Sequence, residues 1–178
     1  PQLIADYYPD SVGVQECEAL WFYHMKAYLP QYGIVGVGRL TGTRGGISGE
    51  MSAILYRKDK YNLVDSGTFW LSETPDKVSL GWDGACNRIC TWVVLENIET
   101  GAQYLHMNAH FDYANDEIRY NSAEMINDFA AQYADIPVVY EFIKKNSGFS
   151  VKTFEHNSIK SEMLFSNCHT SPRSSSSI

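Results

Sequence analysis

Apolar and polar residues along this chain repeat with two different periods, which predicts strands and helices in mixed order. Strand patterns cover residues 12–16, 33–38, 50–56, 61–71, 88–96, 102–109, 136–140 and 151–154. Helical spacing runs over 17–29, where Pro30 ends it, and over 117–133. Strands interleaved with helices favour a mixed sheet, or two packed sheets flanked by helices.

The connections between these segments predict two hairpins and two loops. Residues 58–60 link one pair of strands and residues 97–101 link another. The segment 41–49 contains four glycines and predicts a loop, and 72–87 predicts a longer one.

Beyond residue 140 the pattern weakens. Residues 141–146 predict one or two helical turns, and the serine-rich residues 172–177 are expected to be disordered. We therefore divide the chain into a main domain over 1–140, a divergent segment over 141–171 and a tail over 172–178.

Composition narrows the class of protein. The 178 residues, 44% hydrophobic and 20% charged, are typical of one globular domain. A formal net charge of −7 disfavours tight, non-specific binding of nucleic acid, since such binding needs many basic contacts to phosphates. No apolar run is long enough to cross a membrane, and the first residues do not resemble a secretory signal. The chain does not begin with Met, so we expect that an upstream piece was removed or not captured.

The four cysteines are Cys17, Cys86, Cys90 and Cys168. They are too few and too irregularly spaced for a disulfide framework, and the spacing does not match a zinc site. We expect reduced thiols in a reducing compartment, and hence a cytoplasmic location.

Glu16 is the first candidate for a functional residue. It ends a short apolar strand, and ligand sites of open α/β folds lie at such strand ends. A carboxylate there is poorly placed for packing but well placed to hold a hard cation.

His110 and Asp112 follow the end of a later strand and can project onto the same edge. A His beside an Asp can donate a proton or polarise a phosphoryl oxygen. An isolated His at a strand end is more often a hydrogen-bonded surface residue. His106 and His24 are expected to be structural.

Arg88 opens the strand over 88–96. An arginine at a strand end can bind a phosphate or carboxylate through two parallel hydrogen bonds. The alternative is an ion pair with Glu50 or with an acid of the 72–87 loop, and the sequence favours neither.

Several stretches of the sequence resemble the endonuclease/exonuclease/phosphatase superfamily of DNase I-like, metal-dependent phosphoesterases, in particular a bacterial branch. The similarity covers about residues 9–140 and keeps the order and spacing of the family. The stretches are Pro9-Asp10-Ser11-Val12-Gly13-Val14-Gln15-Glu16, Gly49-Glu50 with Ala53-Ile54-Leu55-Tyr56-Arg57, Gly67-Thr68-Phe69-Trp70-Leu71-Ser72-Glu73-Thr74-Pro75, Gly81-Trp82-Asp83, Arg88-Ile89-Cys90-Thr91-Trp92 and Asn108-Ala109-His110-Phe111-Asp112.

The resemblance implies an α+β fold, a two-layer β-sandwich flanked by helices, with a Mg²⁺ or Mn²⁺ site at one end of the sheets. It implies that Glu16 binds the metal. The catalytic residues are then His110 and Asp112, and the phosphate ligands are Arg88 and Asn108. Glu50 lines the site in a supporting role.

Three motifs of the family are missing: an N-terminal strand carrying Asn, Gly-Asp-Phe-Asn after a strand like 136–140, and a closing Ser-Asp-His. We therefore expect an incomplete sandwich. The first prediction is a hydrolase acting on a small phosphorylated substrate, and the alternatives are a non-catalytic binding module or a nuclease. The acids Glu16 and Glu50 with 13% aromatic residues also allow glycoside hydrolysis.

Overall fold

The strand segments of the chain form two sheets that face each other. The computed structural model describes residues 1–44, 48–113, 115–143 and 150–154. The elements in chain order are α1 (Gln2–Tyr7), β1 (Ser11–Cys17), α2 (Ala19–Tyr28), β2 (Tyr32–Val35), β3 (Met51–Arg57), β4 (Tyr61–Trp70), β5 (Ile89–Asn97), β6 (Gln103–His110), α3 (Asp116–Ala130), a 3₁₀ turn (Ala131–Tyr133), β7 (Val138–Ile143) and β8 (Ser150–Phe154). One sheet has the order β1-β3-β2 and the other β4-β5-β6-β7-β8. The predicted two-layer α+β sandwich is confirmed.

One of the two predicted hairpins is wrong. The strands β3 and β4 follow each other across the turn at 58–60, but they belong to different sheets. Both edges of β3 are occupied by β1 and β2, so β4 pairs with β5 instead. The hairpin of β5 and β6 forms as predicted.

The helix α3 connects the parallel strands β6 and β7 and covers one face of the larger sheet. Its N-terminus is capped by Asn115, whose side chain accepts a hydrogen bond from the backbone N–H of Glu117 (2.8 Å). Such a cap contributes about 1 kcal/mol. The buried face of the helix includes Ile118, Ala123 and Ile126, at the helical spacing that predicted it.

The end of the described chain differs from the prediction in one respect. Residues 141–143 continue β7 and form no helical turn, whereas 144–146 lie outside the described residues. The strand β7 therefore crosses the predicted boundary at residue 140. The division into domains stays a prediction, and the tail over 172–178 also lies outside the described residues. The helix α1 was not predicted from the pattern.

The two sheets meet through polar side chains as well as apolar ones. Asn108 of β6 is fully buried, and its Nδ2 donates to the backbone oxygens of Val14 (3.2 Å) and Ala53 (2.8 Å) in the other sheet. Its Oδ1 accepts a hydrogen bond from Gln15. Asn108 therefore links β6 directly to β1 and β3.

The same side of β6 carries a second polar chain. The Oγ of Ser11 lies 2.9 Å from Nδ1 of His106 and accepts a hydrogen bond from Tyr104 (2.9 Å). On the far side of the imidazole, Nε2 lies 3.4 Å from the buried carboxylate of Glu141. That carboxylate accepts a hydrogen bond from the N–H of Gly13 (2.5 Å). We call these contacts, together with those of Asn108, the polar seam; the structural role predicted for His106 is consistent with it.

Cys17, Cys86 and Cys90 are free thiols, as predicted, and Cys168 lies outside the described residues. Within the described part of the chain, no helix is long and apolar enough to span a membrane.

Candidate phosphate-binding cleft

A small cleft lies where the ends of β1 and β6 meet the starts of β3 and β5. The side chains of Glu16, Glu50, Arg88 and His110, which the sequence singled out, all line it. The remaining lining residues are Arg39, Met51, Ser52, Asn87 and Ile89.

The position of Glu16 depends on a β-bulge. Between the pairs Val14–Ala53 and Cys17–Met51, β1 contains one residue more than β3. Glu16 lies in this bulge with a backbone φ of 52°, in the left-handed region that residues other than glycine rarely adopt. Bulges redirect side chains at functional sites, and such backbone strain costs about 1–3 kcal/mol. The strained bulge therefore places an exposed carboxylate at the cleft.

His110 is the last residue of β6 and is half-buried. Burial lowers its pKa from the usual 6.5, and the guanidinium group of Arg88 lowers the pKa further. Glu16 and Glu50 act in the opposite direction, and Arg39 again lowers the pKa. Its Nδ1 is buried and has no hydrogen-bond partner within the described residues. At neutral pH the ring is therefore neutral and can offer one donor and one acceptor to a ligand.

Arg88 is only 5% exposed, although it lines the cleft. Its Nε lies 3.9 Å from the carboxylate of Asp112. The ion pair that was one of the two alternatives for Arg88 thus forms with Asp112, whereas Glu50 pairs with Arg39. Nε has no hydrogen-bond partner in the part of the chain that the structure describes.

Asp112 lies behind Arg88 and does not line the cleft. It is 1% exposed, and its carboxylate accepts a hydrogen bond from the N–H of Ala85 (3.2 Å). Its backbone oxygen accepts another from the buried Arg119 (2.9 Å). These contacts suit a residue that positions Arg88 and the preceding loop. The predicted catalytic role of Asp112 stays a prediction.

Asn108 also lies away from the cleft, in the polar seam. Its side-chain oxygen and nitrogen both bond to protein groups. A role in phosphate binding stays a prediction for this residue.

Arg39 is a cleft residue that the sequence analysis missed. Its Nη1 forms a salt bridge with Glu50 (2.7 Å). Its backbone oxygen accepts hydrogen bonds from the indole of Trp70 (2.8 Å) and the amide of Asn87 (3.3 Å). A basic residue just before a glycine-rich loop was a signal that could have identified it.

The described side chains can supply part of a metal site. No group of three His, Cys, Asp or Glu side chains able to hold a metal occurs among the residues that the structure describes. Mg²⁺, however, is commonly held by one or two carboxylates, with waters and substrate phosphate oxygens completing the shell. The exposed carboxylate of Glu16 fits that kind of site, whereas the carboxylate of Glu50 is already paired with Arg39.

Comparisons with known proteins identify relatives among solved structures. No protein-family model and no curated protein matches the chain. An endonuclease/exonuclease/phosphatase protein from Bacteroides vulgatus is 39% identical with a TM-score of 0.76, over 80% of this chain and 54% of that one. A family member from Bacteroides thetaiotaomicron is 38% identical with a TM-score of 0.74, over 79% and 51%. A mannosyl-6-phosphatase from the latter organism is 37% identical with a TM-score of 0.74, over 79% and 53%.

The chain spans about half the length of these solved relatives. Its two sheets and flanking helices reproduce their DNase I-like fold over the matched part. The chain therefore belongs to the endonuclease/exonuclease/phosphatase superfamily, as its sequence motifs predicted.

Proposed function

We propose that the cleft binds the phosphate group of a small phosphorylated substrate, as part of a metal-dependent phosphoester hydrolase. One observation carries the proposal: the guanidinium group of Arg88, just before β5, and the imidazole of His110, at the end of β6, line the same cleft. Both side chains can donate hydrogen bonds to a ligand in the cleft. A phosphate group offers several strong acceptor oxygens.

The side chains suit distinct tasks at a phosphoryl group. Arg88 supplies a fixed positive charge and N–H donors, and Asp112 holds it in place. A neutral His110 donates one hydrogen bond to a phosphate oxygen. Glu16 would hold Mg²⁺ or Mn²⁺, which, when bound, neutralises charge that develops on the phosphoryl oxygens.

We infer a small substrate from charge and from the relatives. A net charge of −7 opposes association with a long polyanion, which places nuclease activity second. One relative is a mannosyl-6-phosphatase, so a phosphorylated sugar is the first substrate to test. A cytoplasmic location stays a prediction.

A second candidate function is phosphate binding without catalysis. It is favoured because the described residues contain no complete metal-binding group and because Glu50 is paired with Arg39. Such a module would bind a phosphorylated ligand and release it unchanged.

Activity assays on the purified chain distinguish hydrolysis from binding without catalysis. Hydrolysis of p-nitrophenyl phosphate, bis(p-nitrophenyl) phosphate and mannose 6-phosphate is measured with Mg²⁺ and with EDTA. We expect Mg²⁺-dependent turnover that is lost in Glu16→Gln and His110→Ala. The matched controls are Glu18→Gln and His24→Ala, at exposed positions outside the cleft, which should retain activity.

The outcomes have distinct meanings. Turnover that survives EDTA or Glu16→Gln contradicts the metal-dependent proposal. Binding of the sugar phosphate by calorimetry, without turnover, supports the binding module. Preferential cleavage of the diester and of single-stranded DNA supports a nuclease.

A further inference from the structure

We propose that Arg39 is a third phosphate-binding side chain of the cleft and that it makes the site selective for phosphate monoesters. The inference rests on the proposed phosphate-binding function and names the substrate class. Three donor side chains, Arg39, Arg88 and His110, then face one ligand from three different segments of the chain.

The placement of Arg39 is determined by several contacts. Its backbone N–H donates to the backbone oxygen of Glu50 (3.1 Å), and its side chain forms a salt bridge with the carboxylate of the same residue (2.7 Å). Its backbone oxygen is held by Trp70 of β4 and by Asn87, which precedes β5. The backbone at Arg39 is thus tied to both sheets, and the salt bridge with Glu50 holds the guanidinium group, which preorganises it for binding.

Arg39 retains donors that Glu50 does not use. The salt bridge involves Nη1 and leaves Nη2 of the guanidinium group without a recorded bond to the described residues. A guanidinium group has five N–H donors, so several remain for a ligand. A salt bridge with two partly exposed partners contributes little stability, about 0–1 kcal/mol. Stability alone therefore gives little reason for an arginine here.

The number of donor groups matches a monoester better than a diester. A phosphate monoester has three non-bridging oxygens and, above a second pKa of about 6, nearly two negative charges. A diester has two non-bridging oxygens and one charge. Three donor side chains, two of them cationic, therefore gain more from a monoester dianion than from a diester, which has one non-bridging oxygen fewer and half the charge.

Calorimetry on the full chain tests the inference. Phenyl phosphate, methyl phenyl phosphate and sulfate are titrated into the wild type and into Arg39→Gln, with Mg²⁺ and with EDTA. We expect Arg39→Gln to weaken the binding of phenyl phosphate and of sulfate about tenfold or more, which is the effect of losing one charged hydrogen bond. The affinity for the diester, methyl phenyl phosphate, should fall far less. The matched control is Arg44→Gln, at an exposed position of the same loop outside the cleft, which should bind all three ligands like the wild type.

Two further measurements separate direct contact from indirect effects. Arg39→Gln leaves Glu50 unpaired, so the double variant Arg39→Gln/Glu50→Gln removes that charge. Direct contact predicts that the double variant still binds phenyl phosphate weakly, and recovery to wild-type affinity would overturn the inference. Melting curves verify that each variant is folded.

The pH dependence gives an independent readout. Between pH 7.5 and pH 5 the phenyl phosphate dianion takes up one proton and becomes a monoanion, so the wild type should bind it more weakly at pH 5. Sulfate stays dianionic, so any change in its affinity over this range comes from the protein, where His110 and the charged side chains of Glu16, Glu50 and Arg88 line the cleft beside Arg39. The preference for the monoester over the diester should shrink with acid in the wild type and be small at every pH in Arg39→Gln.

The inference and the proposed function fail in different ways. If Arg88→Gln abolishes binding of phenyl phosphate while Arg39→Gln leaves it unchanged, the phosphate site stands and the role of Arg39 is wrong. If the wild type binds no phosphate ester or sulfate in either condition, both are wrong.

Discussion

Replacing Asn108 by Ala tests whether the polar seam holds the two sheets together. The substitution removes two hydrogen bonds donated to backbone oxygens of the opposite sheet and one accepted from Gln15. A net contribution of about 1 kcal/mol per bond gives a loss of about 3 kcal/mol. Because domains are stable by only about 5–15 kcal/mol, this is a substantial fraction of the total.

The expected result is a lower melting temperature. For a chain of this size, each kcal/mol corresponds to about 2–4 °C, so Asn108→Ala should lower the midpoint by about 6–12 °C. Circular dichroism during thermal and urea unfolding measures the change. Asn62→Ala, at an exposed position of β4, is the matched control and should change the midpoint little.

A second substitution makes the test specific. Asn108→Asp keeps the volume of the side chain but turns the Nδ2 donor into an acceptor that faces two carbonyl oxygens. We expect it to destabilise the fold more than Asn108→Ala. A midpoint unchanged in both variants would refute the reasoning. If phosphate binding were lost while the midpoint stayed constant, the predicted role of Asn108 as a phosphate ligand would be supported instead.

Two further predictions concern titratable groups. The NMR titration of His110 should have a midpoint below 6.5, and Arg88→Gln should raise that midpoint. Because the pKa of His110 is lower in the folded than in the unfolded state, the neutral ring favours folding above pH 6.5. This contribution to stability is lost as the pH falls through the folded pKa. Burial raises the pKa of Cys17 to about 11, so a thiol reagent at pH 8 should modify the partly exposed Cys86 faster than Cys17. Equal rates at these two positions, measured by peptide mass spectrometry, would contradict this.

The cleft was predictable from the sequence where it depends on strand ends. Glu16 and His110 each lie at the end of an apolar run, and a two-layer fold brings such ends to a common edge. Arg88 was recognised for the same reason. Their meeting in one cleft follows from local pattern plus the general geometry of sheets.

Arg39 and the bulge at Glu16 could not be predicted in the same way. Arg39 belongs to a loop whose path depends on contacts with Trp70 and Asn87, which are far away in sequence. The bulge depends on the pairing register of β1 with β3. The prediction of a hairpin over 58–60 was wrong for a similar reason, because a tight turn does not specify whether the next strand stays in the same sheet.

The polar seam also determines the alignment of one sheet against the other. Packing of the apolar faces favours one alignment, and directional hydrogen bonds such as those of Asn108 restrict it further, because they are satisfied at only one offset. Glu16 belongs to one sheet and His110 to the other. A slip of one residue would displace them by about 3.3 Å, whereas about 1 Å is enough to impair a reactive geometry. The precision of the cleft is therefore set partly by residues that never touch its ligand.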